Sequence, residues 1–144
     1  MVGGAMGKTI VRLVEGMRFV GHGESGHEVA MDASSKVGGA DSAARPVEVM
    51  LCALGGCTGM DVISILRKMN TEPASLKIEI EDEQAPDYPK AITKLHLIYS
   101  VTGKVPPKNL RKAIDLTLTK YCPIVNTLAG VTKVTSEYVI EPEQ

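Results

Sequence analysis

The rhythm of apolar positions changes repeatedly along this chain, and each change marks an element. Lys8 to Glu15 alternates, Ile10, Arg12 and Val14 against Val11 and Leu13, and predicts a strand. Gly16 turns the chain. Met17 to Val20, which carries Arg18, and His27 to Met31 read as two further strands of an antiparallel meander. Ser75 to Glu83 is a cleaner period-two segment, with Leu76, Ile78 and Ile80 on one face and Lys77, Glu79 and Glu81 on the other. Ile92 to Val101 follows a proline-containing turn, and its Leu95, Leu97, Tyr99 and Val101 make an apolar face that must be covered. Val131 to Ile140 is the last predicted strand.

Elsewhere the spacing is helical. Over Pro106 to Tyr121, Leu110, Ile114 and Leu118 form a stripe widened by Ala113 and Leu116, while Lys108, Arg111, Lys112 and Asp115 face out. Cys122-Pro123 interrupts it. Because proline suits a first helical turn, Cys122 falls at the N-cap of a short helix, Pro123 to Leu128, closed by Gly130.

The segment from Pro46 to Asn70 is of a different kind. It carries no charge from Val49 to Met60, so as a helix it is apolar or glycine all the way round and is expected to be buried on every side. Gly55, Gly56 and Gly59 surround Cys57. Each glycine in a helix interior costs about 1 kcal/mol relative to alanine, so three of them imply a close approach to the backbone. Helix–helix packing is the plain reading; access to a reactive sulfur is the other. The polar stretch Asp32 to Arg45 has no period and is expected to be an exposed, mobile connection. The predicted order is β-β-β-α-β-β-α-α-β, an α+β fold with antiparallel sheets around a long central buried helix, in a single domain over residues 1–144 with a loose start over residues 1–7.

Composition narrows the function. With 144 residues, 44% of them hydrophobic, the chain has enough material for a proper core. A net charge of −1 and 3% aromatic residues give no support to nucleic-acid binding through phosphates or stacking. The N-terminus lacks the apolar region of a signal peptide, and no uncharged run reaches membrane-span length. A cytoplasmic protein is expected, in which thiols stay reduced. Cys52, Cys57 and Cys122 offer no metal-ligand spacing, and His22, His27 and His96 add none, so neither metal nor cofactor is expected.

Cys52 and Cys57 lie about 140° apart round a helix and should not pair. Cys52 reads as a small buried hydrophobe. Cys122, at a helix N-terminus, has a local reason to be reactive, because free N–H groups and the helix dipole stabilise a thiolate.

The chain resembles the OsmC/Ohr superfamily, and most closely its OsmC-like branch. The resemblance rests on Pro46-x-Glu48, on Gly55-Gly56-Cys57 followed by Asp61 to Leu66, and on Lys120-Tyr121-Cys122-Pro123 opening a short helix. The segments Val14-Glu15-Gly16-Met17-x-Phe19 and Gly26-His27 add to it. It implies an intertwined homodimer sharing central helices, and thiol-dependent reduction of organic or hydrogen peroxides in stress protection. By the same resemblance Cys57 is the peroxidatic thiol and Cys122 the resolving one, their disulfide being reduced by a cellular dithiol.

One departure bears on the site. The family's peroxidases resemble one another in an early-strand arginine and a glutamate directly after the proline. Here Arg18 is the best-placed arginine, and Val47 follows Pro46, with the glutamate one later at Glu48. Nine residues before Cys57 is about 900° of helix, on the opposite face. Glu48 can therefore serve the partner subunit's site, or act as a capping or solvated carboxylate. Asp61, four residues after Cys57, shares its face; unpaired it raises that thiol's pKa, and paired with an arginine it orients the guanidinium. A non-enzymatic dimer that senses redox state or binds a small apolar ligand is the competing reading.

Overall fold

The computed structural model describes residues 3, 4 and 6–143. The expectation of a loose start over residues 1–7 falls partly on Met1, Val2 and Ala5, outside the described residues. The chain forms two compact units, Met1–Met50 and Leu51–Gln144.

The first unit holds the meander: β1 (Ile10–Glu15), β2 (Arg18–His22) and β3 (Glu28–Met31), antiparallel throughout and ordered β1-β2-β3. Gly16, at φ +54°, makes the first turn in the left-handed region that favours glycine. The connection from Asp32 to Arg45 is organised, contrary to the expectation of a mobile link. It contains a 3-10 turn at Ser35–Val37 and folds around the Asp32 side chain, which is 3% exposed. That carboxylate accepts hydrogen bonds from the backbone N–H groups of Ala33, Ala40 and Ser42 and from the Ser42 hydroxyl. Short polar side chains bonding to nearby backbone are what hold such loops.

Helix α1 (Pro46–Lys68) starts in the first unit and runs through the second. Pro46 takes the first helical position, and Glu48 reaches back to accept from the Arg45 backbone N–H at 3.0 Å, half of a capping box.

The second unit contains β4 (Ser75–Gln84), β5 (Ile92–Thr102), α2 (Pro107–Leu116), a π-helical turn (Thr117–Tyr121), α3 (Pro123–Leu128) and β6 (Lys133–Glu141). Its sheet is ordered β4-β5-β6. β4 and β5 are antiparallel, but β6 runs parallel to β5, so this sheet is mixed rather than antiparallel. The helices between β5 and β6 supply the crossover a parallel pair needs. Leu95, Leu97, Tyr99 and Val101 of β5 pack with Leu110, Ala113 and Ile114 of α2 and Leu54, Val62 and Leu66 of α1 in one core.

Burial of α1 departs from expectation. Leu54, Thr58, Val62 and Leu66 form a single buried stripe, whereas Cys52 is exposed and Met60 is 76% exposed. One chain has too few elements to cover an apolar helix on all sides. By length and composition alone α1 could cross a membrane; its Leu54–Leu66 stripe lies in the core.

Candidate functional site

Cys57 lies mid-way along α1, half-buried against the core, and Cys122 is fully buried at the N-cap of α3. They are 65 positions apart in sequence, and their sulfurs are 2.8 Å apart. Both thiols are free. Contact at this distance is within hydrogen-bond reach and requires only a small further approach to form a bond of about 2.05 Å.

Local backbone geometry delivers Cys122 to that point. The helix after α2 widens into a π turn, so the Cys122 N–H bonds to the Thr117 carbonyl at 2.9 Å. Pro123 then opens α3, and the Val125 N–H donates to the Cys122 sulfur at 3.4 Å. The sequence places the N-cap correctly; it gives no hint of the π turn, a feature frequent at functional sites.

The glycines around Cys57 divide the work. A Cβ on Gly55 would meet Ile80 at 3.3 Å, and one on Gly59 would meet Ile78 at 3.1 Å. These two glycines admit the apolar face of β4, so the close approach is by a strand rather than a helix. Gly56 faces open space. A groove of about 1200 Å³ runs beside α1 and β4, lined by Cys52, Gly56, Met60 and Ile78 among others. Cys57 and Cys122 are not among its lining residues. Cys52, expected to be a buried hydrophobe, is exposed there instead, because it lies off the Leu54–Leu66 stripe.

The electrostatics of Cys57 oppose ionisation. Burial first, then the hydrogen bond with Cys122 and the charges of Cys122 and Asp61, push its thiol up to about 11, against a smaller pull from the Ile124 N–H. Asp61 accepts from the Thr117 hydroxyl at 2.8 Å; among the described residues no arginine pairs with it. Beneath lies Tyr99 of β5, whose hydroxyl is buried without a hydrogen-bond partner of good geometry. Burial pushes its pKa up to about 12, with Thr58 pulling the other way and Cys122 and Asp61 adding to the rise.

The other two sequence candidates lie in the first unit. Arg18 donates through Nη1 to the carbonyl of Ser42 at 3.1 Å and to its hydroxyl at 2.8 Å. Ser42 is thus shared between Arg18 and the buried Asp32. Glu48 caps α1, one of the roles its position allowed. Sequence reasoning missed Thr117, Thr58 and Tyr99. The one available signal was a hydroxyl on an apolar stripe: Thr117 follows Leu110, Ala113 and Ile114 at core spacing. No group of metal-ligating side chains occurs among the described residues.

The family model described as OsmC-like protein matches residues 39–137, a span that holds both thiols. The chain belongs to the OsmC-like protein family. It is 33% identical over 131 residues to Protein YhfA of Escherichia coli strain K12, covering 90% of this chain and 95% of that one. A hypothetical protein of Aquifex aeolicus VF5 has the same fold at a TM-score of 0.84 and 24% identity, over 97% of this chain and 99% of that chain. The organic hydroperoxide resistance protein OsmC of Legionella pneumophila matches at a TM-score of 0.69 and 14% identity, over 94% and 99%. The fold is that of the OsmC/Ohr superfamily.

Proposed function

We propose that this protein is a thiol-dependent peroxidase that reduces organic or hydrogen peroxides through Cys57 and Cys122. Membership of the OsmC-like family and structural likeness to a protein named for organic hydroperoxide resistance support a redox or peroxide-related role. The observation that carries the finer reading is the pair of free sulfurs 2.8 Å apart, brought together from distant parts of the chain.

The Cys57 thiolate attacks one peroxide oxygen, the O–O bond breaks, and the alcohol or water leaves with a proton. The sulfur is left as a sulfenic acid. Cys122 displaces its hydroxyl as water, forming the disulfide before further oxidation can occur. A dithiol then takes back the oxidation by thiol–disulfide exchange. Because Cys57 is pushed up to about 11 within its own unit, the first step needs a cation at the sulfur. We assign that role to Arg18, with Asp61 or Glu48 holding its guanidinium, by the family resemblance and in either protomer of a homodimer. The open apolar side of α1, with Met60 76% exposed, supports that dimer.

Peroxide consumption with a dithiol, comparing an alkyl hydroperoxide with hydrogen peroxide, tests the reading. Cys57→Ser should abolish turnover. Cys122→Ser should allow one turnover and then leave Cys57 as sulfinic acid, seen by mass spectrometry as two added oxygens. Full thiol titre after peroxide treatment would overturn it in favour of a dimer of the same fold that binds a small apolar ligand.

A further inference from the structure

Thr117 makes two bonds at once. Its carbonyl holds the Cys122 N–H at 2.9 Å, closing the π turn, and its hydroxyl donates to Asp61 at 2.8 Å. Asp61 stands one helical turn after Cys57 on the same face of α1. One residue therefore ties the backbone that aims one thiol to the helix that carries the other. Thr117 is fully buried, so its hydroxyl has no water to bond to in place of Asp61. The π turn closes its hydrogen-bonded loop one residue later than the α-helix that competes with it, so the residue at its end lies at a different angle round the helix. A relaxed α turn would rotate Cys122 away from Cys57.

We infer that the Thr117–Asp61 hydrogen bond is a latch that positions the thiol pair, pinning the π turn to α1 so that the Cys122 sulfur faces Cys57. This rests on Cys57 and Cys122 acting as a couple, but the latch itself is a property of disulfide closure and needs no peroxide. Asp61 has a second, separable effect: its negative charge opposes a thiolate at Cys57. The other ionisable groups facing this cluster are Cys122 at the α3 N-cap and Tyr99 of β5.

The two effects can be separated in the full-length protein carrying Cys52→Ala, with diamide as oxidant. Diamide takes two electrons and two protons from the thiols, forming the Cys57–Cys122 bond and a hydrazine. Closure is followed by mass spectrometry and its equilibrium constant is set against a glutathione buffer. Thr117→Val removes the latch and keeps the charge; closure should weaken about tenfold or more, with little change in the pH profile of Cys57 alkylation. Asp61→Asn keeps an acceptor for Thr117 and removes the charge; closure should be retained, while Cys57 alkylates at most a few-fold faster near neutral pH, since burial and Cys122 still hold its thiol up. Thr117→Ser restores the hydroxyl and should behave as the parent, guarding against a Thr117→Val that folds poorly. Equal closure in Thr117→Val and the parent would overturn the latch, as would loss of closure in Thr117→Ser. A parent that closes with diamide yet consumes no peroxide would instead overturn the peroxidase reading and leave the latch standing.

Discussion

Asp32 and Cys57 are both acidic side chains withdrawn from solvent, and their surroundings treat them in opposite ways. Asp32 is given donors from every side: the Ser42 hydroxyl and backbone N–H, then those of Ala33 and Ala40, hold its carboxyl at about 2 against the cost of burial. Cys57 has burial, a second thiol and a carboxylate against it, and the Ile124 N–H alone in its favour. An anion saturated with hydrogen bonds is inert and structural. A thiol left short of donors, with another sulfur in contact, stays protonated until charge is supplied from elsewhere. Donor supply, more than burial, separates a structural carboxylate from a site whose chemistry waits on a partner group.

The comparison breaks most visibly at Asp32. Asp32→Ala removes the acceptor around which four donors converge, and should cause the largest loss of stability of the variants considered, a fall in Tm on the order of 10 °C. The sign of its pH dependence is fixed by the depressed pKa. Stabilisation is complete above about 3.8 and is lost as pH falls through about 2. Thermal melts of parent and variant should therefore converge in acid; a gap unchanged from pH 7 to pH 2 would show that the carboxylate's charge is not what the loop uses.

At Cys57 the test is whether charge arrives. In Arg18→Ala, carrying Cys52→Ala so that only the pair reports, Cys57 alkylation by iodoacetamide should rise with pH towards a midpoint of about 11. The folded state of that variant holds the proton through the range where the unfolded thiol, near 9, has lost it, so stability should decline between pH 9 and 11. In the dimeric parent, with Arg18 brought to the sulfur, the midpoint should fall below 11. Identical midpoints with and without Arg18 would remove it from the site.

What could be read from the sequence follows from how local each signal is. Alternation places β4 and β5, and Pro123 places Cys122 at an N-cap, because each depends on neighbours in the chain. The buried Asp32, the Thr117–Asp61 bond and the unpartnered Tyr99 hydroxyl depend on residues that meet only in space. The parallel direction of β6 depends on where the crossover returns the chain. Burial of α1 departs from its composition for a related reason: composition reports what a helix can bury, and the number of neighbouring elements decides how much it does. Cys57 and Cys122 each carry a local signal, but their pairing comes from the resemblance, because nothing in their sequence spacing joins them.

The smallest effect tests the open apolar face of α1 at its glycines. Gly59→Ala would set a Cβ 3.1 Å from the Ile78 Cδ1, tight enough that the Ile78 side chain must shift by a few tenths of an ångström. An overpacking cost of about 1 kcal/mol then offsets the helix-propensity gain of similar size. Gly56→Ala meets nothing within 4 Å and keeps the whole gain. In dilute protein Gly56→Ala should therefore be about 1 kcal/mol more stable than Gly59→Ala by urea unfolding. Gly56 also lines the groove beside α1. If a second copy seats itself there, the added methyl falls in the interface, and the advantage of Gly56→Ala should shrink or reverse as protein concentration rises, while Gly59→Ala, whose neighbours belong to its own chain, keeps its cost. An advantage independent of concentration, with light scattering reporting a monomer, would mean that α1 carries its open apolar face without a partner.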